Sequence, residues 1–576
     1  MMKQRSAAWA AVWALGLAGC GGLSEPQLPQ LTPAQASTLA NCSSLTGFSF
    51  AATTIASATV VASGTLTNAG QPVGEHCLVT GTMNQRVSAV DGQSYAIGFQ
   101  MRLPKDWSGR FLYQGNGGTD GVISAADGGL SIGSGGLLRN GLQMGFAVIS
   151  SDAGHNAAQN PLFGLDPQAR LDYGYQAVGT LTPMAKALIK AAYGRDADRS
   201  YIAGTSNGGR HAFVAAARYP TAYDGVLANS PGINLPRAAS ANLATVRFWD
   251  AVATTKVVNG QPDLESALPV AERRLVANAM LAKCDLLDGI ADGMVQDADA
   301  CRTAFDLNRD VPTCTGARDG TCLTADQKTA VARAYASART TSGDTVYSTF
   351  PFDPGLVQTG WADWKFRSSV GNTRNPVSMA YIFSSPPMTD VTMASDRTRT
   401  AAYAVNFNLD TEYPKIFATS GIYTEASMSF MTAPNPTKLD TLRDRGAKMI
   451  VVHGMADGIF SPDDTAAWYR ALDVANDGRA DRFARYFQVP GMGHSRGGPS
   501  TDQYDALQAL INWVEKGQAP DKIIASARGT GNAGGVNAEL PSDWSPTRTR
   551  PLCPYPLVAR YRSGDKEVES SFACAK

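Results

Sequence analysis

A serine at position 206 lies in a Gly-x-Ser-x-Gly frame, between a short apolar run and a helix-like run. This frame is typical of a nucleophile elbow, in which the turn from strand to helix is so tight that side chains at the two glycines would collide with neighbouring backbone. Residues 198–203 indicate a strand and residues 210–218 a helix, which is the order that such a turn requires. The pattern predicts that Ser206 is a nucleophile.

A nucleophilic serine needs a base, and histidine is the usual one. The chain has five histidines, His76, His155, His211, His453 and His494. His494 follows a short predicted strand at 485–489 and precedes an amphipathic run at 502–516, so it lies in a loop at a strand's carboxyl end. Catalytic residues of α/β sheets lie at such ends, whereas His211 belongs to the helix after the serine. His494 is therefore the predicted base.

The acid that orients the histidine should lie between the serine and the histidine in the chain. Asp457 fits this place, because residues 447–452 indicate a buried strand and residues 453–458 form the loop after it. Asp463 and Asp464 are competitors, but they follow Pro462 at the start of a helix-like segment, where acids ordinarily act as caps. We predict that Asp457 is the acid.

Acyl transfer also needs two backbone N–H groups to stabilise the oxyanion, one of them from the residue after the nucleophile. Asn207 supplies the first. The glycine-rich loop 114–121, after a short apolar strand, should supply the second from Gly118, with Gly117 as the next choice. The alternative, a phosphate-binding loop, lacks an accompanying Walker or dinucleotide fingerprint.

These motifs together resemble the tannase and feruloyl esterase family of α/β-hydrolases, which includes bacterial hydrolases of mono-(2-hydroxyethyl) terephthalate. The matching segments are the loop 114–121, residues 151–155, the Ser206 elbow, residues 223–231, residues 453–457 and residues 491–494. Members typically have a disulfide between cysteines directly before the serine and directly after the histidine. Thr205 and Ser495 stand at these positions here, so the chain resembles an atypical member.

The resemblance implies an α/β-hydrolase core with a large inserted lid domain. The core pattern stops after Pro231 and resumes at the strand that begins near Ala447. We expect a signal peptide at 1–19, a lipidated cysteine and tether at 20–40, the first part of the core at 41–230, the lid at 231–435 and the second part of the core at 436–576.

The amino terminus predicts export. Lys3 and Arg5 precede an apolar run from about residue 7 to residue 17, which is too short to span a bilayer. Residues 17–20 resemble a bacterial lipobox, which would make Cys20 the lipidated first residue of an outer-membrane lipoprotein. The alternative is a plain secretory peptide, and in either case we expect no membrane contact except through a lipid anchor.

Eight further cysteines remain, an even number that suits an oxidising compartment. The sequence alone leaves their connectivity open. Nearest-neighbour pairing, which the resemblance supports, joins Cys42 to Cys77, Cys284 to Cys301, Cys314 to Cys322 and Cys553 to Cys574.

By resemblance, the acidic loop between Cys284 and Cys301 is a structural calcium site in the lid. Its expected ligands are the carboxylates of Asp285, Asp288 and Asp292 and the main-chain carbonyls of Ile290 and Met294. Calcium prefers six to eight oxygen ligands, which a tight acidic loop can supply. The alternative is a solvated acidic turn.

A serine esterase without an organic cofactor is the predicted function. The net charge of zero, with 17% charged residues, gives no electrostatic footprint for nucleic acid, and we expect a monomer that acts on small-molecule esters. Feruloyl, galloyl or terephthalate-type esters are the expected substrates, and aliphatic polyester or hydroxyalkanoate oligomers are the alternative. An inactive surface-binding lipoprotein and a peptidase are further alternatives. Expected substrate-binding residues are Phe460, Trp361, Trp364 and Phe383, with Arg374 as a possible carboxylate partner.

Overall fold

The computed structural model describes residues 28–129, 137–258 and 260–576. The predicted signal peptide and the predicted lipidation at Cys20 lie outside the described residues. Within the described ranges, none of the helices combines the length and the apolar character needed to cross a membrane.

A nine-stranded sheet forms the centre of the described chain. Its strands, numbered in chain order, are β1 (Thr53–Val61), β2 (His76–Val87), β3 (Ser94–Pro104), β4 (Arg110–Gly115), β5 (Ala147–Ser151), β6 (Arg199–Thr205), β7 (Gly225–Asn229), β8 (Lys448–Gly454) and β9 (Ala484–Val489). Their order across the sheet is β1-β2-β3-β5-β4-β6-β7-β8-β9. The strands β4 to β9 run parallel, and β1, β2 and β3 join them by antiparallel pairing. The predicted α/β class is confirmed.

Helices cover both faces of this sheet, because successive residues of its strands point to opposite sides. Ile202 of β6 packs with the helices α1 (Ala177–Tyr193), α2 (Asn207–Arg218) and α7 (Pro462–Ala475). Its neighbours Tyr201 and Ala203 pack on the other face with α8 (Ala506–Lys516). The parallel strands are thus buried on both sides, and their carboxyl ends meet at one edge.

Most members of a further hydrophobic cluster come from the residues between β7 and β8, and Tyr95, Phe163, Tyr173 and Phe460 also belong to it. The longer helices between β7 and β8 are α3 (Leu235–Val252), α4 (Val270–Cys284), α5 (Ala325–Tyr335) and α6 (Arg397–Val405). Shorter α-helices, in this region and elsewhere, are Pro167–Leu171, Ala298–Ala304, Leu307–Asp310, Thr359–Ala362, Ser368–Val370, Asn375–Val377, Leu409–Glu412, Ser427–Phe430 and Asp440–Asp444.

Short strands lie outside the main sheet. Ser37–Thr38 pairs with Asp106–Trp107, Thr67–Asn68 with Gln71–Pro72, and Val558–Tyr561 with Phe572–Ala575, while Gln503–Tyr504, Ile523–Ser526 and Thr549–Leu552 form a small three-stranded sheet.

Four disulfides join the pairs that nearest-neighbour pairing predicts. They connect Cys42 to Cys77, Cys284 to Cys301, Cys314 to Cys322 and Cys553 to Cys574. Disulfides persist mainly in oxidising compartments, so this finding agrees with the predicted export.

Candidate active site

Ser206 lies on the turn between β6 and α2, with a backbone φ of 63°. A positive φ is uncommon for a residue other than glycine and indicates a strained turn. A Cβ at Gly204 would come within 2.5 Å of the backbone of Gly208, and one at Gly208 within 2.2 Å of the Gly115 carbonyl oxygen. Both glycines of the frame are therefore required by the close approach of neighbouring backbone.

The three predicted catalytic side chains form one hydrogen-bonded chain. Ser206 Oγ lies 2.8 Å from His494 Nε2, and His494 Nδ1 lies 2.7 Å from Asp457 Oδ2. An ionised Asp457 can only accept hydrogen bonds, so Nδ1 of His494 carries the proton and donates to it. Nε2 is then free to accept the serine proton. The sequence places Ser206 and His494 on loops 288 residues apart, and the sheet brings both to its carboxyl edge.

The side chain of Asp457 is completely buried, and hydrogen bonds from neighbouring groups stabilise its negative charge. Its Oδ1 accepts hydrogen bonds from the main-chain N–H groups of Ile459 and Phe460, at 2.9 and 3.0 Å. Burial alone would raise its pKa, but the charge of His494 and hydrogen bonds from His453 and His494 hold the pKa of Asp457 well below its usual range. Asp457 is thus an ionised acceptor at neutral pH.

The competing acids are engaged elsewhere. Asp464 accepts hydrogen bonds from the Asn234 amide at 3.1 and 3.0 Å. Asp463 forms an ion pair with Arg302 at 2.8 Å. Both lie at the start of α7, where Ser461 caps the helix.

His453 is a second histidine that contacts Asp457, and no role for it was predicted from the sequence. Its Nε2 lies 3.1 Å from Asp457 Oδ2 and 3.2 Å from the Phe460 carbonyl oxygen, while its Nδ1 lies 2.9 Å from Thr465 Oγ1. Two acceptors at Nε2 mean that this nitrogen carries the proton, so Nδ1 accepts from the Thr465 hydroxyl. The sequence signal that could have indicated this contact is the four-residue spacing of His453 and Asp457 at the end of β8.

The predicted oxyanion donors lie beside Ser206. Gly118 has a φ of +69°, and a Cβ built there meets nothing within 4 Å, so the backbone conformation and not crowding favours glycine. Asn207 is the first residue of α2, where free N–H groups and the helix dipole favour negative charge. Gly118, Ser206 and Asn207 line one cavity.

That cavity has an empty volume of about 440 Å³, its open mouth included. Aromatic walls come from Tyr173, Trp364, Phe383 and Phe460. The rings of Trp364 and Phe460 meet the His494 imidazole edge-on, with ring centroids 5.0 and 5.3 Å apart. Three of the predicted substrate-binding residues thus line the cavity.

Three of these four aromatic residues lie in π-helical segments. Tyr173 lies in Asp172–Gln176, Trp364 in Asp363–Arg367 and Phe383 in Ser378–Phe383. π-helical turns are rare and occur frequently at functional sites.

Trp361 is not among the described residues that line the cavity, and its contact with substrate stays a prediction. Its indole stacks on Tyr335 and meets Phe366 edge-on, with centroids 6.5 and 5.7 Å apart. The hydrophobic cluster of the helical region takes up its apolar area, and only 3% of the residue remains exposed.

A wider groove also has Ser206 among its lining residues. It holds about 1710 Å³ of empty space, open solvent included, and Asn372, Thr373 and Arg496 are among its lining residues. Arg374 lines both the groove and the aromatic cavity, with its guanidinium 5.9 Å from the Trp364 ring centroid.

The predicted calcium loop contains one carboxylate oxygen with no hydrogen-bond partner in the described chain, Asp288 Oδ2. Burial and the charges of Asp292 and Asp285 raise the pKa of Asp288 to about 7. A cation would relieve both effects. Calcium at Asp288 stays a prediction, with Asp285 and the carbonyls of Ile290 and Met294 as further predicted ligands.

Asp292 is the exception within this loop, because its carboxylate pairs with Arg550. In the described part of the chain, no three His, Cys, Asp or Glu side chains are gathered into a metal-binding group. Calcium binding would thus require Asp292 to share its charge with Arg550.

Comparisons with known proteins show which family this chain belongs to. The family model for tannase and feruloyl esterase matches residues 77–575. A mono(2-hydroxyethyl) terephthalate hydrolase from Piscinibacter sakaiensis is 40% identical over 532 residues, which cover 87% of this chain and 85% of that protein. A probable feruloyl esterase B from Emericella nidulans is 29% identical, covering 82% of each chain.

Solved structures have the same fold. The crystal structure of feruloyl esterase B from Aspergillus oryzae superposes with a TM-score of 0.70 at 23% identity, covering 93% of this chain and 99% of that one. The chain belongs to the tannase and feruloyl esterase family and is a carboxylic ester hydrolase.

Proposed function

We propose that this protein hydrolyses aromatic carboxylic esters through an acyl-enzyme formed on Ser206. The observation that carries the proposal is the unbroken hydrogen-bond chain from Ser206 through His494 to Asp457, at the end of an aromatic-walled cavity.

In the first half-reaction, His494 Nε2 takes the hydroxyl proton as Ser206 Oγ attacks the ester carbonyl carbon. Asp457 holds the imidazole in the required tautomer and stabilises the imidazolium that forms. The main-chain N–H groups of Asn207 and Gly118 stabilise the oxyanion. His494 then protonates the leaving alkoxide, and the alcohol departs.

In the second half-reaction, water attacks the acyl-enzyme with His494 again as the base. The carboxylic acid leaves as Ser206 recovers its proton.

The aromatic acyl group is proposed from the cavity walls. Tyr173, Trp364, Phe383 and Phe460 offer ring faces and edges to a flat group held beside Ser206. The names of the relatives from Piscinibacter sakaiensis and Emericella nidulans support terephthalate-type and feruloyl-type acyl groups. Arg374 at the cavity is available for a substrate carboxylate.

The direct test compares wild type with Ser206→Ala on methyl ferulate, methyl gallate, a terephthalate monoester and a hydroxybutyrate dimer. We expect wild type to prefer the aromatic esters and Ser206→Ala to lose about 10⁵-fold or more in kcat. Ser200→Ala, which removes another buried hydroxyl at the opposite end of β6, serves as the control and should retain activity. Equal rates for wild type and Ser206→Ala would refute the proposal, and a preference for the hydroxybutyrate dimer would refute the aromatic acyl group.

A further inference from the structure

A buried polar cluster lies where the glycine-rich loop meets the start of α2. It consists of Asp120 from the loop and Asn207, Arg210 and His211 from the helix. The side chains of Asp120 and His211 are 1% and 3% exposed, and Arg210 is wholly buried. Burying polar groups costs free energy unless their hydrogen bonds are satisfied, so the contacts within this cluster are important for its stability.

Asp120 is the residue that joins the two segments. Its Oδ2 accepts a hydrogen bond from Asn207 Nδ2 at 2.8 Å and lies 2.8 Å from His211 Nε2. Gly118 lies two residues before Asp120, and Asn207 carries the other proposed oxyanion donor. One carboxylate therefore ties together the two pieces of backbone from which the donors come.

The loop backbone is in an unfavourable conformation at this point. Asp120 has a φ of 54°, in the left-handed region, which is uncommon for residues other than glycine although Asp adopts it more often than most. Such conformations persist only where the surrounding contacts enforce them. The hydrogen bonds to α2 supply that enforcement.

Arg210 fixes the far side of the cluster. Its Nε donates to Asn207 Oδ1 at 2.7 Å, and its two terminal nitrogens donate to the carbonyls of Gly174 and Tyr173 at 2.7 and 2.9 Å. Arg210 thus orients the Asn207 amide so that its Nδ2 points to Asp120. The same arginine connects α2 to the π-helical segment that places Tyr173 in the cavity wall.

Burial and the charge of Arg210 shift the pKa values of Asp120 and His211. Burial raises the pKa of Asp120 well above its usual range, while the charge of Arg210 and the hydrogen bond from Asn207 counteract the rise. Burial and Arg210 both lower the pKa of His211 well below its usual range, so the imidazole is neutral. His211 therefore serves Asp120 as a neutral hydrogen-bond partner.

We propose that Asp120 is a positioning residue that fixes the separation of the Gly118 and Asn207 N–H groups before the substrate arrives. The inference rests on the proposed function of Ser206, because it concerns the oxyanion of that reaction. Donors that are already in place need no reorganisation as the negative charge develops, and this is the main source of oxyanion stabilisation. Asp120 acts through Asn207 and His211 and touches no reacting atom.

The test uses an inhibitor that forms an oxyanion and one that does not. With an aryl trifluoromethyl ketone, Ser206 Oγ bonds to the carbonyl carbon, its proton passes to His494, and the carbonyl oxygen becomes an oxyanion. The free aromatic acid binds the same cavity without forming this adduct. For Asp120→Asn we expect kcat and ketone affinity each to fall about 10- to 100-fold, while KM and acid affinity change less than about threefold.

Asn207→Ala tests the same positioning role independently, because it removes the side chain that contacts Asp120 and retains the main-chain N–H. It should show the same loss of ketone affinity. If Asp120 acts through Asn207, the double variant should lose little more than the more affected single variant, since residues that act as a unit are not additive. Fully additive losses would overturn the inference.

Asp224→Asn is the matched control. Asp224 is also a buried carboxylate, accepting from Ser200 N–H at 2.8 Å and pairing with Arg445 at 2.6 Å, but it lies at the opposite end of β6. Its replacement should leave the ratio of ketone to acid affinity unchanged, whatever it does to the unfolding temperature.

The outcomes separate the two proposals. Unchanged ketone affinity in folded Asp120→Asn overturns the positioning role, and the proposed function stands if Ser206→Ala is inactive. Full activity of Ser206→Ala would overturn both. If Asp120→Asn does not fold, Asn207→Ala decides, and an unchanged ketone-to-acid ratio in that variant overturns the inference.

Discussion

Asp457 and Asp288 are both carboxylates buried in loops, yet their surroundings shift their pKa values in opposite directions. Asp457 receives hydrogen bonds from two imidazoles and two main-chain N–H groups. Asp288 lies beside Asp292 and Asp285 and keeps one oxygen without a partner in the described chain. Asp457 is thus stabilised from several directions, whereas a single main-chain hydrogen bond from Ile290 and the charge of Arg550 offset only part of the repulsion on Asp288.

The difference distinguishes two uses of a buried acid. A carboxylate that must hold an imidazolium works best when its donors are in place and its ionised form is stable. A carboxylate with like charges around it is stabilised by binding a cation. The two loops therefore predict opposite responses to the same Asp-to-Asn change.

The largest effect is expected from Asp457→Asn. An amide cannot stabilise the imidazolium and favours the wrong tautomer of His494, so kcat should fall about 10⁴-fold with the proposed aromatic ester. Asp464→Asn is the control, because that buried acid contacts Asn234 and not His494, and it should retain activity. An Asp457→Asn variant within about tenfold of wild type would show that the acid does not have this role.

A smaller effect, on stability, is expected from calcium at Asp288. Calcium at about one hundred times its dissociation constant should stabilise the chelator-treated protein by about 2.7 kcal/mol, visible as a rise in the unfolding temperature. Asp288→Asn should abolish this rise and should itself stabilise the calcium-free protein, because it removes a buried like charge. Magnesium is the matched control ion, since it prefers a stricter octahedral geometry. An identical unfolding temperature with and without calcium would contradict the metal assignment.

The parts of the molecule that could be predicted from sequence are those with local causes. Gly204 and Gly208 lie only four residues apart in the chain, because one tight turn requires both of them. His494 and Asp457 can be predicted as catalytic residues because parallel strands place their carboxyl ends at one edge of the sheet. A strand followed by a polar loop is enough to indicate them. The cysteine pairs are different, because the sequence alone leaves their connectivity open and the family resemblance is what favours the nearest-neighbour pairing found in the structure.

The unpredicted contacts depend on packing between distant segments. Trp361 and Trp364 are three residues apart, yet only Trp364 lines the cavity, because a π-helical segment begins between them at Asp363. Periodicity in sequence does not show such a change of helix type. Asp120 and His211 are 91 residues apart, and nothing near either residue indicates their contact.

Lys365 lets the surroundings of Asp457 be examined through the pH dependence of stability. Its ammonium donates to Asn242 Oδ1 at 3.2 Å and lies 3.8 Å from the Phe350 ring centroid. Burial lowers the pKa of Lys365 to about 7, although the charge of Asp457 opposes the shift. Between pH 7 and the pKa of an unfolded lysine, about 10.4, the unfolded chain binds more protons than the folded one, so stability should rise with pH.

The smallest expected effect is therefore a pH-dependent difference between wild type and Lys365→Met in urea unfolding. Wild type should gain about 1 to 3 kcal/mol relative to the variant from pH 7 to pH 9.5, because the limiting slope is 1.36 kcal/mol per pH unit. Lys190→Met, at a lysine whose side chain is 62% exposed, should show no such pH-dependent difference. A difference between wild type and Lys365→Met that stays constant over this range would show that Lys365 is charged when buried. In that case Lys365 would be a permanent cation near Asp457 and would add to the stabilisation that its histidines supply.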